Sequence, residues 1–551
     1  MNIMIKQMSS LKKIRNTEDM KKGEINKKLM FGGETFSYQT ALYSEDKIDV
    51  GLSVESLLKD YIKLYLVKNV MMDYPIEPFS RDEDFLTKEP GVMPDLLLPA
   101  EEQNNCVRLS GGVAAVWIEI NIPKNFKAGE YPVKIKFSGM NIYNNDEKFE
   151  AEQLMNIEVA AADIPEQSTI FTQWFHTDCI AAVHNAEIYS EKHWELIDKY
   201  MSLAAKLGMN MILTPVITPP LDTEIGGFRP NVQLVKIEKK NEKYIFDFSK
   251  LERWISLCRK NGIKYYEISH LFSQWGLKYS PNISVSEDGK EKYMFGWHVP
   301  ARDKSYKDFL EQFIPALVKI LHSEGIEKQC FFHLSDEPSK EHVDDYRYAY
   351  EIVKPLIGEC RIMDALSDVD FYENGLLSTP VTATSHIEPF LEKNIKNQWA
   401  YYCCAQDFKV GNRFMAMPSY RNRILGLQIY KFGIEGFLQW GYNFYFSQHS
   451  KYLINPYITS SSDRAFPSGD PFSVYPGNDR PLPSLRALIF REALQDVEIC
   501  RMLEKYEGKE KVIELIEQEA GEKITFSEYP GNEEFIIRVM EKIAARIKKY
   551  C

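Results

Sequence analysis

The chain has 551 residues, a net charge of −12, 44% hydrophobic and 26% charged residues. That length exceeds one ordinary core and predicts two or three domains, while the composition is that of a globular protein and not of a disordered or fibrous one. The acidic balance argues against a nucleic-acid partner, which calls for a basic face. Aromatic residues reach 13%, with 8 Trp and 31 Tyr; large cores account for them, and a ring-lined sugar cleft is the sharper reading.

Residues 1–30 are polar and lysine-rich and read as flexible or weakly helical. They lack the apolar core of about 7–15 residues that a secretory signal needs, and no stretch approaches the ~20 apolar residues of a membrane span. The expected location is therefore the cytoplasm. The nine cysteines are odd in number and have no CxxC spacing. They read as free thiols, not as a disulfide framework or zinc site.

From 31 to 163 short strands alternate with turns. Tyr61–Val67, Val113–Ile122, Tyr131–Phe137 and Met155–Val159 are strand candidates, separated by Gly111-Gly112, Gly129-Glu130 and Asn144-Asn145. One polar face per strand predicts an antiparallel β-sandwich. No catalytic constellation lies in it.

From 168 to 508 strand-like and helix-like segments alternate, the pattern of parallel βα units. Eight strands are predicted: Ile170–Phe175, Asn210–Thr214, Tyr265–His270, Cys330–Leu334, Arg361–Ala365, Val381–Ser385, Trp399–Cys403 and Gly436–Trp440. Eight such units predict a TIM-like (β/α)8 barrel. Insertions at about 215–248 and 271–304 follow strands and are expected over the catalytic rim. Residues 509–551 read as a helical tail.

The stretch Gln329–Pro338 stands out. A buried-strand pattern ends in Asp336 and Glu337, with Pro338 next. In a barrel the strand C-termini form the ligand rim. The plain alternative is a helix N-terminus, with Ser335 and Asp336 as capping types and Pro338 in the first turn. The other strand ends would bring Trp174, His176, Asp178, His270, Trp275, His386, Tyr401, Tyr402, Trp440, Tyr442 and Asn443 to the same rim. Rings stack on a pyranose and polar groups fix its hydroxyls. Tyr401 and Tyr402 are neighbours on one strand, so at most one faces the site. A metal site from His176, Asp178 and His270 has no HxH or HExxH spacing to support it. No metal and no cofactor are expected.

Taken together, Ser335-Asp336-Glu337-Pro338, Trp399–Cys404, Gly436–Asn443 and the segment from Ser484 to Glu498 resemble glycoside hydrolase family 123, the bacterial β-N-acetylgalactosaminidases. The run Gln495-Asp496-Val497-Glu498 departs from the Gly-Ile-Glu-Asp-like pattern that the resemblance leads one to expect. The resemblance implies a retaining mechanism in which the substrate's 2-acetamido oxygen forms an oxazolinium. Glu337 would be general acid and then base, entering the reaction protonated beside an ionised Asp336. Asp336 would hold the acetamido group, with Tyr401 or Tyr402 and Trp440 assisting. The partner is a carbohydrate, a β-linked GalNAc glycan or glycolipid. The alternatives are a β-GlcNAc-specific enzyme or a carbohydrate-binding barrel without activity.

Overall fold

The computed structural model describes residues 3–144 and 146–551; Met1, Asn2 and Asn145 of the expected turn lie outside the described residues. The N-terminal region is one continuous eight-stranded sheet, not two separate ladders. Its spine is the 21-residue strand Thr35–Glu55. The first half of that strand pairs with Ile3–Ser9, the second half with Gly129–Asn141, and Cys106–Asn121 runs along its other edge. A register shift between Ser44 and Lys47 lets so long a strand bend. Tyr38, Leu42, Val50, Ile118, Val133 and Ile157 form its buried core.

Two sequence expectations need correction here. Residues 3–9 are not flexible: Ile3–Ser9 is a strand in register from Ile3 against Ser44 to Ser9 against Tyr38. Its lysine-rich surroundings hid a segment whose last three residues are buried. Nor is the sheet purely antiparallel, because Lys27–Gly32 pairs in parallel with Lys148–Asp163.

All eight predicted barrel strands are present: β1 (Ile170–Gln173), β2 (Met211–Thr214), β3 (Tyr265–Ile268), β4 (Cys330–Phe332), β5 (Arg361–Leu366), β6 (Thr379–Ala383), β7 (Trp399–Tyr401) and β8 (Gly436–Gln439). They run parallel in the order β2-β3-β4-β5-β6-β7-β8-β1. Between β1 and β2 the ring is completed by Asn210. Its Oδ1 accepts from Phe171 N at 2.8 Å, and its own N–H donates to Phe171 O at 3.1 Å. Alternation along each strand sorts the side chains. Ile170, Met211, Leu213, Phe331, Met363, Val381, Trp399 and Leu438 fill the interior, while Phe171, Ile212, Phe332 and Phe437 pack outward under the helices. Gly436 opens β8 because a Cβ there would lie 2.2 Å from the Trp399 ring.

The two insertions form hairpins, Lys236–Lys240 with Lys243–Asp247 and Ile283–Glu287 with Lys290–Phe295, which join into one four-stranded sheet. That sheet packs sideways on the helix Lys304–Ser323. Tyr244 and Phe295 meet Phe309 at ring distances of 5.1 and 4.9 Å. Most of the inserted chain is therefore spent on this aromatic packing, while Leu221, Asp222, Gln274 and Trp275 reach the rim. The tail is helical as expected, Lys509–Ala520 and Glu533–Ile547. Among the described residues no helix is long and apolar enough to cross a membrane.

The sheet and barrel are locked together. On the barrel's last helix, Leu485–Glu507, Arg486 makes a two-pronged buried ion pair with Asp95 of the sheet at 2.8 and 2.9 Å. Gln495, part of the run that departs from the family pattern, exchanges two hydrogen bonds with the backbone of Thr35.

Candidate active site

The chain leaves β4 through His333-Leu334-Ser335 and reaches Asp336 and Glu337 in a loop. Neither acid caps a helix. The following helical turn starts at Lys340, with Ser339 as its cap and His342 closing back on Ser339. Glu337 has φ +45°, in the left-handed region, where a non-glycine residue stays only if its surroundings hold it. They do: Glu337 N donates to Ala365 O at 3.1 Å, and Trp275 N donates to Asp336 O at 3.1 Å.

Both carboxylates open into a cavity of about 120 Å³ whose lining includes Trp174, Gln274, Trp275, Tyr401, Cys403 and Trp440. They are anchored to different elements. Gln274, from the loop after β3, donates to Asp336 Oδ2 at 2.7 Å. Tyr401, from β7, donates its hydroxyl to Glu337 Oε1 at 2.7 Å. Asp336 is buried and Glu337 half-buried. Burial, then the neighbouring Glu337, push the Asp336 carboxyl up to about 8. Enclosure thus favours the protonated form of Asp336 in the free protein.

Trp174 lines the cavity and donates its Nε1 hydrogen to Glu267 Oε1 at 2.6 Å, so it is both a barrel filler and a wall of the site. Trp440 is held by Asp470, which accepts its Nε1 at 2.8 Å, and by the Phe466 ring at 4.9 Å. His176 lines the cavity and is neutral. Arg229 donates to its Nδ1 at 3.1 Å, so Nε2 carries the hydrogen and donates to Trp440 O at 2.9 Å. Burial and the Arg229 charge lower this ring to about 3. Asp178 grips the same guanidinium with both oxygens at 2.8 Å, fully buried. A cation of the protein's own thus sits where a metal shared by His176 and Asp178 would have to lie. Trp275 stands at the mouth, 46% exposed.

Six of the predicted residues do not line the cavity: Asp178, held behind His176 by Arg229, and five others. His270 is fully buried behind Trp174, their rings 5.2 Å apart. His386 is exposed and meets Ser385. Tyr402 points outward to Asn422, as strand alternation requires once Tyr401 points in. Tyr442 stacks on Phe175 at 5.7 Å, and Asn443 clasps the backbone of His176 with bonds of 2.9 and 3.0 Å. Sequence reasoning missed Leu221, Asp222, Gln274, Cys403, Cys404 and Phe466. Only the two cysteines carried a signal, as continuations of β7. A wider cavity of about 920 Å³ lies between sheet and barrel. Its Asp198 and Asp479 are already paired with Lys260 and Lys199, so it offers no free carboxylate pair.

A family 123 glycoside hydrolase from Clostridium perfringens, described for glycolipid glycan hydrolysis, superposes over 100% of this chain and 98% of its own, with a TM-score of 0.75 and 16% identity. That likeness shows a shared fold. A family 5 mannosidase from Rhizomucor miehei covers 60% of this chain and 94% of its own at a TM-score of 0.34 and 8% identity, too low to carry an argument. No curated protein sequence matches. Residues 174–503 match the family described as glycoside hydrolase 123, catalytic domain. They include every residue lining the carboxylate cavity, and by that match the chain belongs to glycoside hydrolase family 123 and is a glycoside hydrolase.

Proposed function

We propose that the protein removes terminal β-linked N-acetylgalactosamine with retention, using the sugar's own 2-acetamido oxygen as nucleophile. The observation that carries the reading is the divergent anchoring of two adjacent acids, Asp336 by Gln274 and Glu337 by Tyr401. One acid must reach the glycosidic oxygen and the other the acetamido N–H, and neighbours drawn to different walls can do both. No enzyme nucleophile is required, so carboxylate spacing does not predict the stereochemistry in such an enzyme.

The starting position of the proton fits this scheme. In the free protein burial and the neighbouring Glu337 favour the protonated form of Asp336. A bound acetamido N–H donates to Asp336 and favours its ionised form. The displaced proton passes to Glu337, where general acid catalysis needs it. Ionised Asp336 then offsets the charge of the oxazolinium. Trp174 and Trp440 supply the ring faces for the pyranose. The substrate class is a GalNAc-bearing glycan or glycolipid, in keeping with the glycolipid glycan hydrolysis described for the Clostridium relative.

The test pairs aryl β-GalNAc with aryl β-GlcNAc and follows the first-formed anomer by NMR. The expected results are preference for GalNAc, release of the β-anomer, and competitive inhibition by the thiazoline analogue of the oxazolinium. Asp336→Asn should slow the GalNAc reaction about 10–100-fold, the worth of a hydrogen bond to a charged group. Release of the α-anomer, or equal activity on a sugar whose acetamido is replaced by hydroxyl, would rule out the assisted mechanism. A preference for GlcNAc would reverse the sugar assignment alone.

A further inference from the structure

Beneath the cavity floor the barrel holds a charge cluster that substrate cannot touch. His333 follows β4, three residues before Asp336. Its Nδ1 lies 2.9 Å from Asp364 Oδ1 and its Nε2 2.7 Å from Glu267 Oε1, and all three residues are fully buried. A carboxylate on each side makes both ring nitrogens donors, which only the imidazolium provides. Burial alone would lower this ring; the hydrogen bonds and charges of Asp364 and Glu267 override it and push it up to about 10.

The carboxylates carry the cluster outward. Glu267 also accepts from Thr172 Oγ1 at 2.7 Å and from Trp174 Nε1 at 2.6 Å. Asp364 also accepts from Tyr346 Oη at 2.6 Å and from Leu334 N at 3.1 Å, two residues before Asp336. His270 lies flat on His333, ring centres 4.2 Å apart at 14°. Burial and the His333 charge hold it well below the ordinary histidine range, so it is neutral.

We infer that His333 is a positioning residue for the glycosidase reaction: a permanent buried cation that fixes Trp174 through Glu267, fixes the end of β4 through Asp364, and biases the acid pair toward ionised Asp336. The inference rests on the role proposed above for Asp336. Four groups bear on that carboxyl. Glu337 beside it and Asp364 on β5 oppose ionisation; Gln274 from the β3 loop and His333 beneath favour it. Around His333 itself stand Glu267 on β3, Asp364 on β5 and the neutral His270.

The sign follows directly. Without the His333 charge the acid pair gives up the first of its two protons at higher pH, and the ascending limb of kcat/KM against pH, which reports that step, moves to higher pH. A shift of about one pH unit, roughly tenfold lower kcat/KM on the acid side, is expected for loss of a nearby opposite charge. The experiment compares pH profiles of wild type, His333→Gln and Asp336→Asn on aryl β-GalNAc. A limb that moves up in His333→Gln and vanishes in Asp336→Asn supports the inference. A limb that vanishes in Asp336→Asn but stays put in His333→Gln, with only thermal stability reduced, overturns it and leaves the reading of Asp336 intact. A limb that persists in Asp336→Asn overturns that reading and this inference with it. Should His333→Gln fail to fold, wild-type protein labelled with ¹⁵N-histidine decides the charge: one ring must show two protected N–H protons that do not titrate through neutral pH. A single N–H on every protected ring overturns the inference.

Discussion

Glu337→Gln is expected to lower kcat/KM on a β-GalNAc substrate with a poor leaving group by about 10²–10⁴-fold, the usual worth of a positioned general acid. The substitution is nearly isosteric. Its amide oxygen can still accept the Tyr401 hydroxyl that now lies 2.7 Å from Glu337 Oε1, and the backbone bond to Ala365 is untouched. The strained φ of +45° keeps its support. What is lost is the proton. The deficit must therefore depend on the leaving group. A dinitrophenyl glycoside, which departs without protonation, should recover most of the rate of oxazolinium formation, and the slow step should become water attack, where the lost group would act as base. Measured side by side with an unsubstituted phenyl glycoside, an equal loss on both would mean that Glu337 does not protonate the leaving group. Unchanged thermal stability would separate lost chemistry from lost structure.

The barrel was legible because its signal is local. Each strand is a short apolar run bounded by turn residues, and the eight runs predicted are the eight observed. The inward turn of Tyr401 and the outward turn of Tyr402 follow from strand alternation alone. The step after β4 was found but misread in detail. Ser335, Asp336 and Pro338 have the chemistry of a helix start, yet Glu337 takes a left-handed conformation and the cap falls to Ser339. No single-residue preference foretells that; it is imposed by Ala365 and Tyr401, which arrive from β5 and β7.

The walls of the site were less legible for the same reason. Gln274 and Asp222 lie in insertions, and nothing in their local sequence says which loop residue turns inward. Arg229 carries no local signal either; long-range convergence with His176 and Asp178 places it. His386 follows a strand as the pattern asks, but the chain coils into a 3-10 turn at Thr384–His386 and leaves its ring in solvent. The strand Ile3–Ser9 was missed because long-range pairing with Thr35–Glu55, not composition, makes it a strand.

Asp95→Ala is expected to lower the free energy of unfolding by about 3–5 kcal/mol, the cost of leaving a buried charge without its partner. Arg486, 2% exposed, would keep its bonds to Gly469 O and Phe472 O at 2.6 and 3.1 Å but lose both contacts to the sheet. Asp95→Asn keeps the shape and one acceptor and should cost less. Chemical denaturation of the three proteins measures the difference; an alanine variant within about 1 kcal/mol of wild type would show that water reaches the guanidinium and that the junction is soft. The effect should also reach the active site. Gly469 and Phe472 bracket Asp470, whose carboxylate holds the Trp440 indole at 2.8 Å. On the same side Asp73 of the N-terminal region accepts from Ser460 N at 2.9 Å and from Ser461 Oγ at 2.6 Å, and buried Lys13 donates to Met415 O and Met417 O at 2.8 Å each. The loops after β7 and β8 thus take their shape from the sheet. At a temperature where Asp95→Ala remains folded, its KM should rise more than its kcat falls, because in the proposed reaction Trp440 is assigned to sugar binding and not to proton transfer. A fall in kcat alone would place the influence of the sheet on the acid pair instead.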